Sequence, residues 1–214
     1  MPEIIYKDDH YIALNKPAGI LVIPAPGKPV NLTDEINTFL SKSNSQSKAH
    51  PCHRLDAETS GCIIYSLGKA AQKKMMDMFQ EHSVHKEYIA LINGNLKKDS
   101  GEIRFQIDGK EALTIYNTLW RSDKCSLVRI NLLTGRTNQI RIHFKMLGHP
   151  LIGDAKFENR KNMLVKFKRT ALHSLKIGFT HPYSGHEINI SAPLPDDLIK
   201  LFNTLQIDYT NLLR

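Results

Sequence analysis

Nine consecutive residues, His53-Arg54-Leu55-Asp56-Ala57-Glu58-Thr59-Ser60-Gly61, constrain the fold of this chain most strongly. They place an Asp close behind an Arg and end at a glycine, which permits a sharp turn. The apolar run Cys62-Ile63-Ile64-Tyr65 follows directly and predicts a buried strand. The sequence therefore predicts a polar loop that presents Asp56 at the end of a core strand.

Strands are predicted to outnumber helices. Alternating or β-branched and aromatic segments, separated by turn residues such as Asp8-Asp9 and Pro182-Tyr183-Ser184-Gly185, indicate strands. The predicted strands span residues 4–6, 11–14, 62–65, 88–92, 102–107, 113–120, 127–132, 172–179 and 187–191.

Four helices are predicted from apolar residues at helical spacing. The first begins at a Thr33 cap and the second spans residues 69–82. The third runs from a Thr137 cap to residue 147 with Gly148 as its stop, and the fourth spans residues 195–205 with an acidic first turn.

This arrangement favours an α+β fold with a mixed, largely antiparallel sheet flanked by helices and loops. The chain lacks the regular βαβ alternation, the GxGxxG motif and the P-loop of nucleotide-binding folds. Its 214 residues, 41% of them apolar, are sufficient for one domain over residues 1–214. The Ser-rich stretch 41–48 is predicted to be a mobile loop.

Composition narrows the class of function. A net charge of +8 is compatible with nucleic-acid binding and equally with a soluble basic protein that binds none. The three Cys form no CxxC pair, which argues against a disulfide framework or a zinc ribbon. The sequence shows neither a secretory signal nor an apolar run of transmembrane length, so we expect a cytoplasmic protein that does not engage a membrane.

Two further segments carry candidate functional side chains. Leu133-Thr134-Gly135-Arg136-Thr137-Asn138-Gln139-Ile140-Arg141-Ile142-His143 predicts a strand end, a tight turn and a basic helix start. Lys86-Glu87-Tyr88-Ile89-Ala90 places an aromatic residue at the head of a strand. Either pattern alone is also typical of a protein without special function there.

In this order along the chain, the three segments resemble the signature of the RluA family of pseudouridine synthases. The resemblance runs from about residue 4 to residue 193 and includes Asn15-Lys16-Pro17-Ala18-Gly19 and Gly148-His149-Pro150-Leu151-Ile152-Gly153-Asp154. It implies a pseudouridine synthase fold of the short RluA or TruC type, without an N-terminal S4 domain. The chain departs from the pattern at Asn138, where the family more often has His.

The resemblance implies that Asp56 is the catalytic residue in the isomerisation of uridine to pseudouridine in RNA. Arg141 would pair with Asp56, because a forked guanidinium keeps a carboxylate ionised and oriented. Tyr88 would stack on the uracil and assist proton movement at C5. The sequence leaves open whether Asp56 attacks C1′, adds to the base or removes a proton from C2′.

The resemblance also implies contacts with RNA. Arg54 would fill the space that the flipped uridine vacates. The remaining candidates for RNA binding are His53, Thr59, Arg136, Gln139 and the basic segment Lys156, Arg160, Lys161, Lys166, Lys168 and Arg169, although that segment is equally typical of a solvated loop. The expected partner is a stem–loop of ribosomal or transfer RNA, bound by a monomer without metal or cofactor.

Three alternatives remain open from the residues alone. A metal hydrolase would use His50, Cys52 and His53 with His82 and His85, but these residues match no recognised ligand spacing. An RNA-binding module would need the basic surface without catalysis. A glycosidase would need Asp56 and Glu58 as a carboxylate pair.

Overall fold

A computed structural model of the chain describes residues 3–27, 30–43 and 47–213. Its contacts divide the chain, for which the sequence predicts one domain, into two compact units. Unit 1 comprises Met1–Lys86 and Ser174–Pro193, and unit 2 comprises Glu87–His173 and Leu194–Arg214. Within the described ranges, none of the helices combines the length and the apolar character that a membrane span needs.

The described residues form ten strands, which are β1 (Glu3–Lys7), β2 (Tyr11–Lys16), β3 (Ala49–Pro51), β4 (Ser60–Leu67), β5 (His85–Asn93), β6 (Ser100–Ile103), β7 (Thr114–Arg121), β8 (Cys125–Leu132), β9 (Leu172–Thr180) and β10 (Glu187–Ser191). The helices are α1 (Leu32–Lys42), α2 (Lys69–Gln80), α3 (Gln139–Met146), α4 (Asp196–Thr204) and α5 (Tyr209–Leu212). A 3-10 helix spans Arg160–Asn162.

The sheet of unit 1 has the strand order β1-β2-β4-β9, with β3 beside β4 and β10 beside β9. The pairs β1–β2, β2–β4, β3–β4 and β9–β10 are antiparallel. Alternate residues of β2 and β4 enter one core cluster with Ala71 and Met75 of α2. Burying the apolar side of α2 in this way is the stabilisation that its helical spacing predicts.

The sheet of unit 2 has the strand order β5-β8-β7-β6, and its pairs are antiparallel. Helix α3 packs on this sheet, and the ring of Phe144 lies 5.5 Å from the ring of Tyr116 on β7. Leu127 and Ile130 of β8 are completely buried. These contacts place the basic start of α3 at a fixed position over the sheet.

The predicted fold class is confirmed, and most strands and helices lie where the sequence predicts them. The strand predicted over 102–107 ends at Ile103. The Ser-rich stretch 41–48 begins inside α1, and its residues 44–46 lie outside the described residues.

Both predicted Thr caps were wrong. Helix α1 is capped by Asn31, whose side chain accepts a hydrogen bond from the backbone N–H of Asp34. Helix α3 follows Asn138, which adopts the left-handed conformation with φ of 55° and makes no capping bond through its side chain. Asn tolerates this conformation better than most residues, and its side chain serves a different contact.

Candidate active site

A buried lysine anchors the loop 53–61 in unit 1. Lys16, at the end of β2, is completely buried. Its Nζ donates to the carbonyl oxygens of Pro17, Ile20 and Ala57 at 3.0, 2.8 and 2.9 Å. Because three acceptors surround the ammonium, its burial is compensated. The loop is therefore tied to β2 one residue beyond Asp56.

Asp56 lies at the start of a turn within this loop. The backbone N–H of Thr59 donates to the carbonyl oxygen of Asp56 at 3.1 Å, and the N–H of Gly19 donates to that of Ala57 at 2.8 Å. Thr59 is buried, whereas Arg54 is exposed. The backbone around Asp56 is thus fixed while the side chain of Arg54 is presented to solvent.

Gly61 is required by the close approach of two strands. It lies inside β4 with φ of +110°, and a Cβ atom there would stand 2.2 Å from the carbonyl oxygen of Ser174 on β9. The Ser174 hydroxyl donates to the carbonyl oxygen of Cys62 at 3.0 Å. The sequence predicted a glycine for a sharp turn, and the structure adds the need for space against β9.

His53 is held inside unit 1. Its Nε2 accepts a hydrogen bond from the backbone N–H of Ile64 at 3.1 Å, and its ring lies 4.9 Å from that of Phe79. Burial, with a contribution from the nearby ammonium of Lys86, lowers the pKa of His53 to about 3. A neutral imidazole bonded to the backbone positions the loop, so we leave His53 out of the residues proposed to bind RNA.

Arg141 is the most constrained of the candidate residues in unit 2. Its Nε and Nη2 donate to the two carboxylate oxygens of Asp154, each at 2.7 Å, and its Nη1 donates to Oδ1 of Asn138 at 2.7 Å. The guanidinium carbon lies 5.0 Å from the ring centre of Phe157. Arg141 is 7% exposed and Asp154 is completely buried. A bidentate pair of this kind fixes the plane of the guanidinium.

The turn before α3 is held by Gln139. Its Oε1 accepts from the Thr134 hydroxyl and from the backbone N–H of Arg136, at 2.8 and 2.9 Å. Its Nε2 donates to the carbonyl oxygen of Leu113 and to the hydroxyl of Thr114, at 3.0 and 3.1 Å. Because its amide is satisfied within the fold, we also leave Gln139 out of the RNA-binding set. Arg136 donates through Nε to the carbonyl oxygen of Glu111 at 2.9 Å.

Tyr88 and the basic segment complete the candidates of unit 2. Tyr88 is 6% exposed on β5, where its neighbour on β8 is Ile130. Arg160 begins the 3-10 helix, and the exposed lysines of the segment are Lys156, Lys161, Lys166 and Lys168.

Arg169 differs from its neighbours in the basic segment, because it is 9% exposed. It donates to both carboxylate oxygens of Asp197, at 2.7 and 2.9 Å, and to the carbonyl oxygens of Thr170 and Leu172. An arginine whose donors are committed inside the fold does not form part of an exposed phosphate-binding surface. We therefore leave Arg169 out of that surface.

The sequence did not identify the residues that hold the candidates in place. Lys16, Asn138 and Asp154 were noted only as parts of segments that resemble the family, without any role. The sequence carries one signal for Asp154, since an Asp directly after a glycine resembles a turn residue, but that signal does not indicate an ion pair. Residues 3–27, 30–43 and 47–213 contain no group of three or more His, Cys, Asp or Glu side chains that could hold a metal ion.

The sequence is similar to those of known RNA pseudouridine synthases. The sequence model of the family described as RNA pseudouridylate synthase matches residues 10–146, a span that includes Asp56, Tyr88 and Arg141. The chain is 34% identical over 95% of its length to the Bacillus subtilis "Uncharacterized RNA pseudouridine synthase YlyB", covering 73% of that protein. It is 32% identical over 89% of its length to the Pasteurella multocida "Dual-specificity RNA pseudouridine synthase RluA", covering 92% of it.

The fold is similar to that of solved proteins. "Human RNA Pseudouridylate Synthase Domain Containing 4" superposes with a TM-score of 0.79 at 21% identity, covering 95% of this chain and 93% of the other. Together, the matched span and the identities show that the chain belongs to the RluA family of RNA pseudouridine synthases. It is accordingly an isomerase that acts on RNA.

Proposed function

We propose that the chain converts specific uridines of ribosomal or transfer RNA to pseudouridine with Asp56 as the essential carboxylate. The observation that carries this proposal is the anchoring of the Asp56 loop by Lys16 within a chain of the RluA family. A relative named for the ribosomal large subunit supports ribosomal RNA as a substrate, and the name of another relative, "Dual-specificity RNA pseudouridine synthase RluA", supports more than one target.

The reaction exchanges one bond for another within a single nucleotide. The bond between C1′ and N1 breaks, the uracil turns, and a bond between C1′ and C5 forms, while C5 loses a proton and N1 gains one. Atoms and electrons balance without an oxidant, a reductant or a phosphoryl donor. We therefore propose that the reaction needs no metal or cofactor. We also propose that the protein acts as a monomer in the cytoplasm.

The geometry of Arg141 supports its assignment as the partner of Asp56. The bonds from Arg141 to Asp154 and Asn138 fix the plane of its guanidinium. We assign this guanidinium to the carboxylate of Asp56, as the resemblance to the family implies. A guanidinium whose plane is fixed beforehand stabilises charge at the reacting centre without reorganising during the reaction.

Tyr88 would contact the target base, and Arg54 would fill the position that the flipped nucleotide vacates. Tyr88 would stack on the detached uracil, and its hydroxyl would assist removal of the proton from C5. Extruding a uridine costs a few kcal/mol, less from a loop than from a paired stem. The exposed side chain of Arg54, two residues before Asp56, is suited to occupying the vacated space.

The exposed lysines at positions 156, 161, 166 and 168 would supply part of the binding free energy through RNA phosphates. Hydrogen bonds from Lys145 and Asn162 lower the pKa of Glu158 to about 2, so Glu158 is ionised. Its negative charge is offset by the ammonium of Lys145 at 2.7 Å. This surface predicts an affinity that falls steeply with salt concentration.

The test is to map pseudouridine in total RNA from cells with and without the gene, and then in transcripts incubated with the protein. Asp56→Asn and Asp56→Ala should abolish formation of pseudouridine while RNA affinity stays within about tenfold, because the proposed role of Asp56 is at the sugar and the base rather than at the phosphates. Turnover by either variant at the rate of the unchanged protein would refute the role of Asp56. The absence of any modified uridine with the unchanged protein would refute the proposed function itself.

A further inference from the structure

Lys86 is a nearly buried lysine whose amine has no bonding partner within the described ranges. It is 8% exposed, and no hydrogen bond or ion pair of residues 3–27, 30–43 and 47–213 involves its Nζ. Lys16 is also buried but has three carbonyl acceptors. The Nζ atom itself keeps some access to solvent, because the fully buried polar atoms without a partner in the described ranges belong to Arg129, Asn131 and His181. Lys86 is therefore a cation with reduced hydration and no protein partner, which costs free energy.

The neighbours of the Lys86 amine are aromatic. Its Nζ lies 5.8 Å from the ring centre of Phe79 on α2, and the ring of Phe79 lies beside that of His53. Burial lowers the pKa of Lys86 to about 8, so most of it is protonated at neutral pH. The side chain therefore places a positive charge in an apolar environment, where an anion would be attracted more strongly than in water.

Lys86 lies close to the loop that carries Asp56. It lies beside His53, which is three residues before Asp56 in the loop 53–61. Side chains two residues apart on a strand share a face, so Lys86 and Tyr88 lie on the same side of β5. A cation in this place is suited to holding the substrate close to the reacting nucleotide.

We propose that the ammonium of Lys86 binds a backbone phosphate of the RNA substrate beside the loop 53–61. The inference rests on the proposed function, because a phosphate is the anion that RNA carries at every nucleotide. Binding the phosphate supplies the partner that Lys86 lacks within unit 1. The charge that is unfavourable in the free protein thereby contributes to affinity.

The first test compares Lys86→Met with Lys73→Met, which changes an exposed lysine of α2. Affinity for a short oligouridylate is measured over a range of salt concentrations. Loss of one phosphate contact to a single strand should reduce the slope of log affinity against log salt by about 0.7 for Lys86→Met. Lys73→Met should leave the slope unchanged. An unchanged slope for folded Lys86→Met would overturn the proposal.

The second test measures how affinity depends on pH. If phosphate binds only protonated Lys86, affinity of the unchanged protein for an oligocytidylate, whose bases keep their charge state in this range, should fall about tenfold between pH 7 and pH 9. Of the groups facing Lys86, His53 is neutral in this range and Phe79 is not ionisable. The hydroxyl of Tyr88, on the same side of β5, is controlled for by the same titration of Lys86→Met, which should show no such fall. On β5 itself, His85 and Glu87 lie on the opposite face. An affinity independent of pH in this range would contradict the proposal.

These tests are separable from the proposed function. If the unchanged protein forms pseudouridine but its affinity depends on salt and pH in the same way as that of Lys86→Met, only the role of Lys86 fails. If the unchanged protein modifies no RNA, the proposed function fails, whatever the slope of oligouridylate binding.

Discussion

Asp154 binds Arg141 through both of its carboxylate oxygens, at 2.7 Å each, in a completely buried position. The same carboxylate accepts the backbone N–H of Lys156 at 3.1 Å. Asp154 therefore connects the start of the basic segment to the arginine that we assign to Asp56. Its negative charge is paired with Arg141 inside unit 2, so under the proposed function any effect of Asp154 on the reaction would be exerted through Arg141.

We expect Asp154→Asn to lower both stability and turnover. An amide offers one acceptor in place of two and leaves the buried guanidinium partly uncompensated, at a cost of roughly 3 kcal/mol in the free energy of unfolding. With the plane of Arg141 no longer fixed, kcat for pseudouridine formation should fall more than KM rises. Urea denaturation and single-turnover kinetics measure the two effects.

Asp197→Asn is the matched control, since Asp197 holds Arg169 in the same bidentate manner but is more exposed. It should cost less stability and leave kcat unchanged. If both variants reduced kcat equally, the effect of Asp154→Asn would have to be assigned to stability alone.

Arg141→Lys should fold and lose most of its activity. A lysine supplies the positive charge for Asp154 but has neither the planar fork nor enough donors for Asp154, Asn138 and Asp56 together. The measurement is the rate of pseudouridine formation on an RNA whose modified site has been mapped. Circular dichroism checks that the variant is folded. Near-normal rates would show that Arg141 is not the partner of Asp56.

Lys86→Met should make the protein more stable at neutral pH while weakening RNA binding. Burial lowers the pKa of Lys86 from 10.5 to about 8, so below pH 8 the folded state carries the full penalty of a buried charge. The penalty amounts to as much as roughly 3 kcal/mol and disappears as pH rises from 8 to 10.5. The variant should therefore gain stability at pH 7 and lose that advantage near pH 10.

Urea denaturation of Lys86→Met, Lys73→Met and the unchanged protein at the two pH values measures this difference. A structural lysine would give the opposite sign, with lower stability for Lys86→Met at both values. That result would show that the ammonium of Lys86 does not destabilise the folded protein.

Gly61→Ala should prevent normal pairing of β4 with β9. A Cβ 2.2 Å from the carbonyl oxygen of Ser174 requires the backbone to move, and φ of +110° is unfavourable for alanine. We expect a loss of more than about 3 kcal/mol in the free energy of unfolding. Gly185→Ala is a suitable comparison, because it too has positive φ but nothing lies within 4 Å of the added atom. Equal losses for the two variants would show that φ alone matters.

Local patterns in the sequence predicted the strands and helices well, because alternation and helical spacing reflect which face of each element is buried. They predicted the wrong cap for α1 because both Asn31 and Thr33 are of residue types that cap helices, although Asn is the better of the two. Asn is a residue type that tolerates the left-handed conformation of position 138, but the sequence does not indicate that its side chain accepts a hydrogen bond from Arg141.

The candidate catalytic residues were found by their resemblance to a family, whereas their supports required coordinates. Nothing in the spacing of Arg141 and Asp154 distinguishes a buried ion pair from two surface charges. The burial of Lys86 was equally hidden, because a charged residue in a strand is usually exposed. Contacts between residues distant in sequence depend on tertiary packing, and the periodicity of apolar residues does not predict them.

The division of the chain into units has a consequence for its synthesis. Unit 1 ends with Ser174–Pro193, and unit 2 with Leu194–Arg214, so neither unit is a continuous segment. A ribosome releases the loop 53–61 long before β9, the strand that Gly61 must accommodate. Because domains fold as units, the Asp56 loop acquires its final support only after β9 has been synthesised, and a chain terminated before β9 would lack it.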